Sequence, residues 1–322
     1  MKNTLLYVLT VLIWGSTWIA IEFQLGDVAI EASLIYRFLI AAILILIFCR
    51  LFGLSLKFTF KQHLFIALLG ILNFCLNYLM LYQAQEHLSS AMTSVVFSML
   101  LLMNIVNTRI FFGKKITLKT YLGAAIGVAG IAVLFWPEIS QQTSAQVTWS
   151  GIFYVLAGII FASLGNMLSV RNSNHHYPVL QSSGWGMLYG TVGLTLVAFF
   201  NQVEFTISTQ PSYLISLLYL SVFGTVIAFY SYFVLLKNIG PDKASYSIVL
   251  FPIVAVILST LFEGFTWTIF TFIGFLFVAT GNLLVLIPAQ KVKQFFASLN
   301  PEPIVTENLC TLEDNKKIKQ PS

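Results

Sequence analysis

Apolar runs of about 20 residues recur along almost the whole of this 322-residue chain. A run of that length matches the hydrocarbon thickness of a bilayer at the α-helical rise. Strands are a poor alternative, because the runs lack the alternating apolar–polar period of an outer-membrane barrel. A soluble core does not account for them either. Only 9% of residues are charged and 58% are hydrophobic, against roughly 25% charge in a soluble domain. The 29 Phe, 13 Tyr and 6 Trp suit membrane faces and interfaces. The expected fold class is an all-α membrane protein with ten transmembrane helices. The spans are placed at about 4–23, 30–50, 63–83, 89–111, 118–136, 149–170, 178–200, 212–236, 244–262 and 267–288. The first run is too long for a cleavable signal peptide, lacks an A-x-A exit, and is expected to be the first helix. Residues 290–322 are polar and read as a flexible cytoplasmic tail.

The basic residues give these spans a direction. With Lys2 in the cytoplasm and the sides alternating, Arg50, Lys57, Lys61, Arg109, Lys114, Lys115, Lys119, Arg171, Lys237 and Lys243 all fall at cytoplasmic turns. The outer turns have no Lys or Arg and carry Asp27, Glu31, Glu86, Glu138, Glu204 and Glu263. This bias predicts an even number of spans with both ends in the cytoplasm. It also explains the net charge of +5 without nucleic acid as a partner.

Sliding the chain by 151 residues superposes Ser94 on Ser245, Gly113 on Gly264, Thr117 on Thr268, Gly123 on Gly274 and Gly130 on Gly281. The turn holding Lys114 and Lys115 has an acidic counterpart holding Glu263. Matching turns of opposite charge predict two five-helix repeats in inverted orientation, 1–137 and 149–289, joined by a linker at 138–148. Inverted repeats are a feature of secondary transporters, with the substrate near the midplane at the repeat interface.

Several stretches together carry a family resemblance. They are Trp14-Gly15-Ser16-Thr17-Trp18, Tyr36-Arg37-Phe38, Leu88-Ser89-Ser90-Ala91, Phe97-Ser98, Phe251-Pro252 and Phe262-Glu263-Gly264. In these the chain resembles the EamA-type proteins of the drug/metabolite transporter superfamily over about residues 4–288. The resemblance implies ten helices, a central cavity and movement of a small metabolite. One departure is visible. Leu101 stands where the second half has Pro252, so the fourth span is expected to lack the break expected in the ninth.

Polar groups within the spans are the candidate site. Arg37 lies about two turns inside the second span, where a charge is costly and needs a cavity or a partner. It attracts a substrate carboxylate or phosphate, or else it pairs with Glu22 or Glu31 or caps carbonyls at the outer rim. Glu22 is either a proton-coupling carboxylate or a helix-end residue. Asn73 and Asn77 share one face of the third span, Ser90, Ser94 and Ser98 one face of the fourth, and Ser163 and Asn166 nearly align on the sixth. These stripes either line a hydrated cavity or act as interhelical glue. Trp14, Trp185, Tyr189, Tyr230 and Tyr246 are candidate aromatic walls, with packing as the alternative. Pro252 is read as a hinge or a static kink. The glycines of the fifth and tenth spans permit close helix contact, within the monomer or in a homodimer.

No enzyme motif, metal-ligand spacing or P-loop is present, so neither catalysis nor a cofactor is expected. The expected function is a secondary transporter of small organic metabolites in a bacterial inner membrane. On resemblance alone it is efflux of amino acids or related compounds. The alternatives are an uptake carrier for a metabolite such as a nucleotide derivative, or a channel or lipid-headgroup flippase on the same scaffold. The expected partners are the small-molecule substrate and the lipid bilayer.

Overall fold

Backbone groups in a hydrocarbon environment must bond within their own segment, and this chain meets that demand with helices. The computed structural model describes residues 2–140, 145–239 and 247–286, and no strand forms among the described residues. The expected linker between the repeats is only partly covered, and Tyr246, Lys243 and the tail at 290–322 lie outside the described residues.

The first half contains α1 (Lys2–Glu22), α2 (Ile30–Leu51), α3 (Phe60–Gly70), a π-helical turn (Ile71–Leu76), α4 (Asn77–Gln85), α5 (Ser90–Phe97), α6 (Leu100–Phe112), α7 (Leu118–Leu134) and α8 (Trp136–Ser140). The second half contains α9 (Ala145–Asn174), α10 (Val179–Phe200), α11 (Pro211–Leu218), a second π-helical turn (Tyr219–Ile227), α12 (Ala228–Ile239), α13 (Ser247–Phe262) and α14 (Ile269–Leu286). Among the described residues, eight stretches are long and apolar enough to cross a membrane, and Leu118–Leu134 and Leu250–Phe262 are shorter apolar helices. The outward faces are apolar: Phe200 is 79% exposed and Ile215 67%. Large apolar surface of this kind is stable against lipid rather than water.

Local chemistry sets the ends. Thr59 and Gln62 form a capping box at the start of α3. Gly113 ends α6 at φ 68°, and Gly264 follows α13 at φ 70°. Both adopt the left-handed conformation that glycine tolerates without a Cβ clash. They stand 151 residues apart, as do the threonine pairs Thr117–Thr120 and Thr268–Thr271 that follow them, whose hydroxyls lie 3.1 and 3.3 Å apart.

The halves pack extensively on each other. α7 lies along α14, α2 along α10, α1 against α12 and α13, and α9 against α4 and α6. At the α7–α14 crossing Gly123 faces Gly281 and Gly130 faces Gly274. A Cβ on Gly281 would stand 2.5 Å from the Gly123 carbonyl oxygen, and one on Gly274 2.7 Å from that of Gly130. These glycines therefore serve contact within the chain.

Two expectations about breaks are corrected. The fourth span is interrupted between Phe97 and Leu100, whereas α13 runs through Pro252 without interruption. The Ser98 and Ser94 hydroxyls donate to the carbonyls of Val95 and Ala91 at 2.6 and 2.8 Å. Met99 and Leu102 N–H groups bond to Val96 and Met99 carbonyls three residues back. Serine competition with the helical ladder tightens this turn. Pro252 lies inside α13, so the loss of its N–H removes one ladder bond while the helix continues beyond it.

Candidate functional site

Trp14-Gly15-Ser16-Thr17 on α1 is fastened to the second π-helical turn. The Trp14 indole N–H donates to the Gly224 carbonyl at 3.2 Å, and the Ser16 and Tyr219 hydroxyls lie 2.6 Å apart. The widened turn misaligns its carbonyls with the usual ladder. That leaves the Gly224 oxygen for a donor from another helix. Trp14 also packs edge-on against Phe229 and Phe251, with ring centroids 5.4 Å away in both cases. Gly15 has no room for a side chain, since a Cβ there would meet Val254 of α13 at 2.5 Å.

Arg37 is enclosed, with 1% of its surface exposed. Its Nη1 donates to the Tyr82 hydroxyl at 3.2 Å, and that hydroxyl donates to Gln24 Oε1 at 2.7 Å. The guanidinium also sits 4.7 Å from the centre of the Tyr78 ring, a cation–π distance. Neither anticipated acid pairs with it. Glu31 accepts from Asn201 Nδ2 at 2.9 Å, and among the described residues no carboxylate lies within ion-pair distance of Arg37. Buried polar atoms without partners gather on these same elements: Arg37 Nε, Gln24 Nε2, Glu22 Oε2, Gln85 Oε1 and Asn77 Oδ1. Buried donors and acceptors are nearly always satisfied, so such a concentration marks capacity for water or ligand.

The remaining candidates fall in different places. Asn73 accepts at its carbonyl from Asn77 Nδ2 at 3.3 Å and presses against Gly165 of α9. The Ser94 and Ser98 hydroxyls bond their own helix, and Ser98 also accepts from Asn282 Nδ2 at 2.8 Å. Asn166 donates to Asn104 at 3.3 Å beside the Asn107–Ser163 bond at 2.8 Å, forming a polar seam between α6 and α9. Trp185 packs with His63 and Tyr189 far from Arg37 in sequence. His63 is 2.9 Å from the Tyr189 hydroxyl and 5.0 Å from the Trp185 ring. Tyr230 is 50% exposed beside Phe48 and does not join the polar cluster.

One residue was missed. Glu263, read from the sequence as an outer-turn acid and part of the resembling Phe262-Glu263-Gly264 stretch but not as a site residue, reaches across the halves to the start of α5. Its carboxylate accepts from the Ser90 N–H at 2.9 Å and from the Ser90 hydroxyl at 2.6 Å, and the Ser259 hydroxyl donates to it too. Unpaired N–H groups and the positive end of the helix dipole favour an anion there. Glu22 is close enough to feel the Glu263 charge. The Leu88-Ser89-Ser90 stretch signals a helix start, but the sequence contains no signal that its anion comes from 173 residues away. Glu263→Ala is expected to cost about 1–2 kcal/mol, in the range of a lost N-terminal cap. Thermal unfolding in detergent measures this. The Glu263→Ala and Ser90→Ala costs should combine less than additively, and full additivity would refute the contact.

This arrangement of apolar helices, enclosed polar groups and contacts between halves can be compared with known proteins. The EamA-like transporter family model matches residues 1–136 and 149–287. The chain belongs to the EamA-like transporter family. It is 30% identical to the uncharacterized inner membrane transporter YedA of Escherichia coli K12 over 257 residues, 79% of this chain and 81% of the relative. Protein PagO of Salmonella typhimurium is 21% identical over 285 residues, covering 88% and 89%. A crystal structure of 17% sequence identity superposes with a TM-score of 0.66 over 90% of this chain and 98% of that one, a likeness of fold. As a member of this family the chain is a multi-pass membrane transporter.

Proposed function

We propose that this chain is a secondary carrier that exports amino acids or related small metabolites across a bacterial inner membrane by alternating access. The observation that carries this reading is the set of unsatisfied buried groups on α1, α2, α4 and the turn after α1, Arg37 among them. Arg37 Nε and Gln24 Nε2 are donors without acceptors, while Glu22 Oε2 and Gln85 Oε1 are acceptors without donors. A zwitterion supplies what both pairs lack: its carboxylate faces the guanidinium, and its ammonium faces the free oxygens. Such groups stay in a membrane protein when they face a cavity, a partner or a substrate path.

The proposed scaffold is ten spans in two inverted halves, 1–137 and 149–289, with a linker at 138–148 and a cytoplasmic tail from 290. Three correspondences support it. The two π-helical turns occupy the third and eighth spans, the left-handed glycines Gly113 and Gly264 are 151 apart, and Gly123–Gly281 mirrors Gly130–Gly274. The interrupted turn at Ser98 and Pro252 of α13 are the bending points proposed for the motion between states. The name of the YedA relative favours the inner membrane.

Counterflow in proteoliposomes tests the function. Labelled amino acids should enter vesicles preloaded with the same compound, saturably, whereas sugars and nucleotides should not. Flux without saturation or counterflow indicates a channel and defeats the carrier reading. Glu22→Gln is expected to abolish flux driven by a pH gradient and to keep counterflow, if Glu22 carries the coupled proton. Unchanged dependence on the gradient returns Glu22 to a helix-end role.

A further inference from the structure

The turn joining α6 to α7 carries an open, shallow pocket of about 230 Å³ lined by Arg109, Lys115, Ile116 and Tyr121. Among the described residues, neither the Arg109 nor the Lys115 side chain has a hydrogen-bond or ion-pair partner. No Asp or Glu occurs anywhere from His87 to Pro137, so no acid of this segment neutralises the pair. Lys114 and Lys119 add charge on the same turn. The pocket is therefore a concave, positively charged space beside the first turn of α7, whose free N–H groups add to the positive field.

The second copy of this turn provides an internal control. The residues 151 positions on from Arg109, Lys115, Ile116 and Tyr121 are Thr260, Thr266, Trp267 and Phe272. There two threonines stand in place of the bases. The Trp267 indole N–H donates to Thr260 Oγ1 at 3.1 Å, and the Trp267 and Phe272 rings lie 6.0 Å apart. The backbone of the two turns matches in its left-handed glycine and its threonine pair. One copy thus bonds and packs its own side chains, while the other keeps two unpartnered bases beside an open pocket.

We propose that the Arg109–Lys115 pocket binds the phosphate of an acidic phospholipid headgroup. The chemistry required is a phosphate monoanion or dianion, held by a guanidinium fork and an ammonium. The surroundings select the lipid source over free phosphate. Ile110, Phe111, Leu118 and Leu122 flank the pocket and are exposed, so an acyl chain leaving the headgroup meets apolar side chains. Basic pockets at the membrane boundary are suited to anionic headgroups.

The test uses the full-length protein in detergent, titrated with short-chain phosphatidylglycerol, phosphatidylcholine or inorganic phosphate. Binding is read by native mass spectrometry and by melting temperature. Phosphatidylglycerol should bind saturably and raise the melting temperature, while the other two should do neither. The double variant Arg109→Gln/Lys115→Gln should bind it about thirtyfold more weakly, from the loss of two surface bases. The double variant Lys57→Gln/Lys61→Gln removes equal charge from another turn and should bind as the unmodified protein does. Lys115→Gln alone, on an exposed turn, should weaken binding about fivefold. This single change keeps the test decisive should the double variant fail to fold. Equal binding of phosphatidylcholine, equal loss in both double variants, or saturation by inorganic phosphate without a response to phosphatidylglycerol would each overturn the proposal.

Discussion

Gly281→Val is expected to destabilise the protein by about 3 kcal/mol, the upper range for forcing extra volume into a packed interior. The atom met first is backbone rather than a flexible side chain. A Cβ on Gly281 lies 2.5 Å from the Gly123 carbonyl oxygen and 2.9 Å from the Gly127 nitrogen. Relief requires α14 to move away from α7 along the whole crossing, because a helix shifts as a rigid element. Gly130→Val should cost a similar amount, since its Cβ would meet the Gly274 carbonyl oxygen and Phe277 Cβ, both at 2.8 Å. Gly158→Ala is the control. Its nearest neighbour is the Leu81 Cδ2 methyl at 3.3 Å, which can turn aside. Melting temperatures in detergent should fall sharply for the two valine variants and little for the control. A Gly281→Val protein as stable as the parent would show that the two helices do not cross this closely.

Arg37→Met is expected to abolish counterflow of a carboxylate substrate while leaving the ligand-free protein as stable as before, or more so. An enclosed charge with no counter-ion is a cost, and an apolar side chain of similar length removes it. The aromatic contact with Tyr78 and the bond to Tyr82 offset only part of that cost. Affinity should drop by about 3 kcal/mol, roughly a hundredfold, as for loss of one member of a buried charge pair. Arg37→Lys should lose less, because it keeps the charge but not the planar fork. The ion-pair alternative, with Glu22 or Glu31 as partner, predicts lower stability without substrate. Unchanged affinity in Arg37→Met together with a lower melting temperature would make Arg37 a structural residue.

The helices and their turns were legible because they depend on local chemistry. Apolar length and the matched glycines Gly113 and Gly264 act within a few residues of themselves. The 151-residue correspondence was legible for the same reason, since each copy carries its own glycines and threonines. Two local effects were nevertheless misjudged. Serine hydroxyls broke the fourth span where no proline stands, and α13 runs on through Pro252.

What the tertiary structure alone decided is which polar groups meet. Arg37 finds Tyr82 rather than an acid, Tyr82 finds Gln24, Glu263 finds the start of α5, and Asn282 finds Ser98. Each of these pairs joins residues 45 to 184 positions apart. An apolar stretch reveals its destination one segment at a time, because burial against lipid or protein has no direction. A hydrogen bond reaches about 3 Å and needs alignment, so its partner is set only when the helices have taken their places.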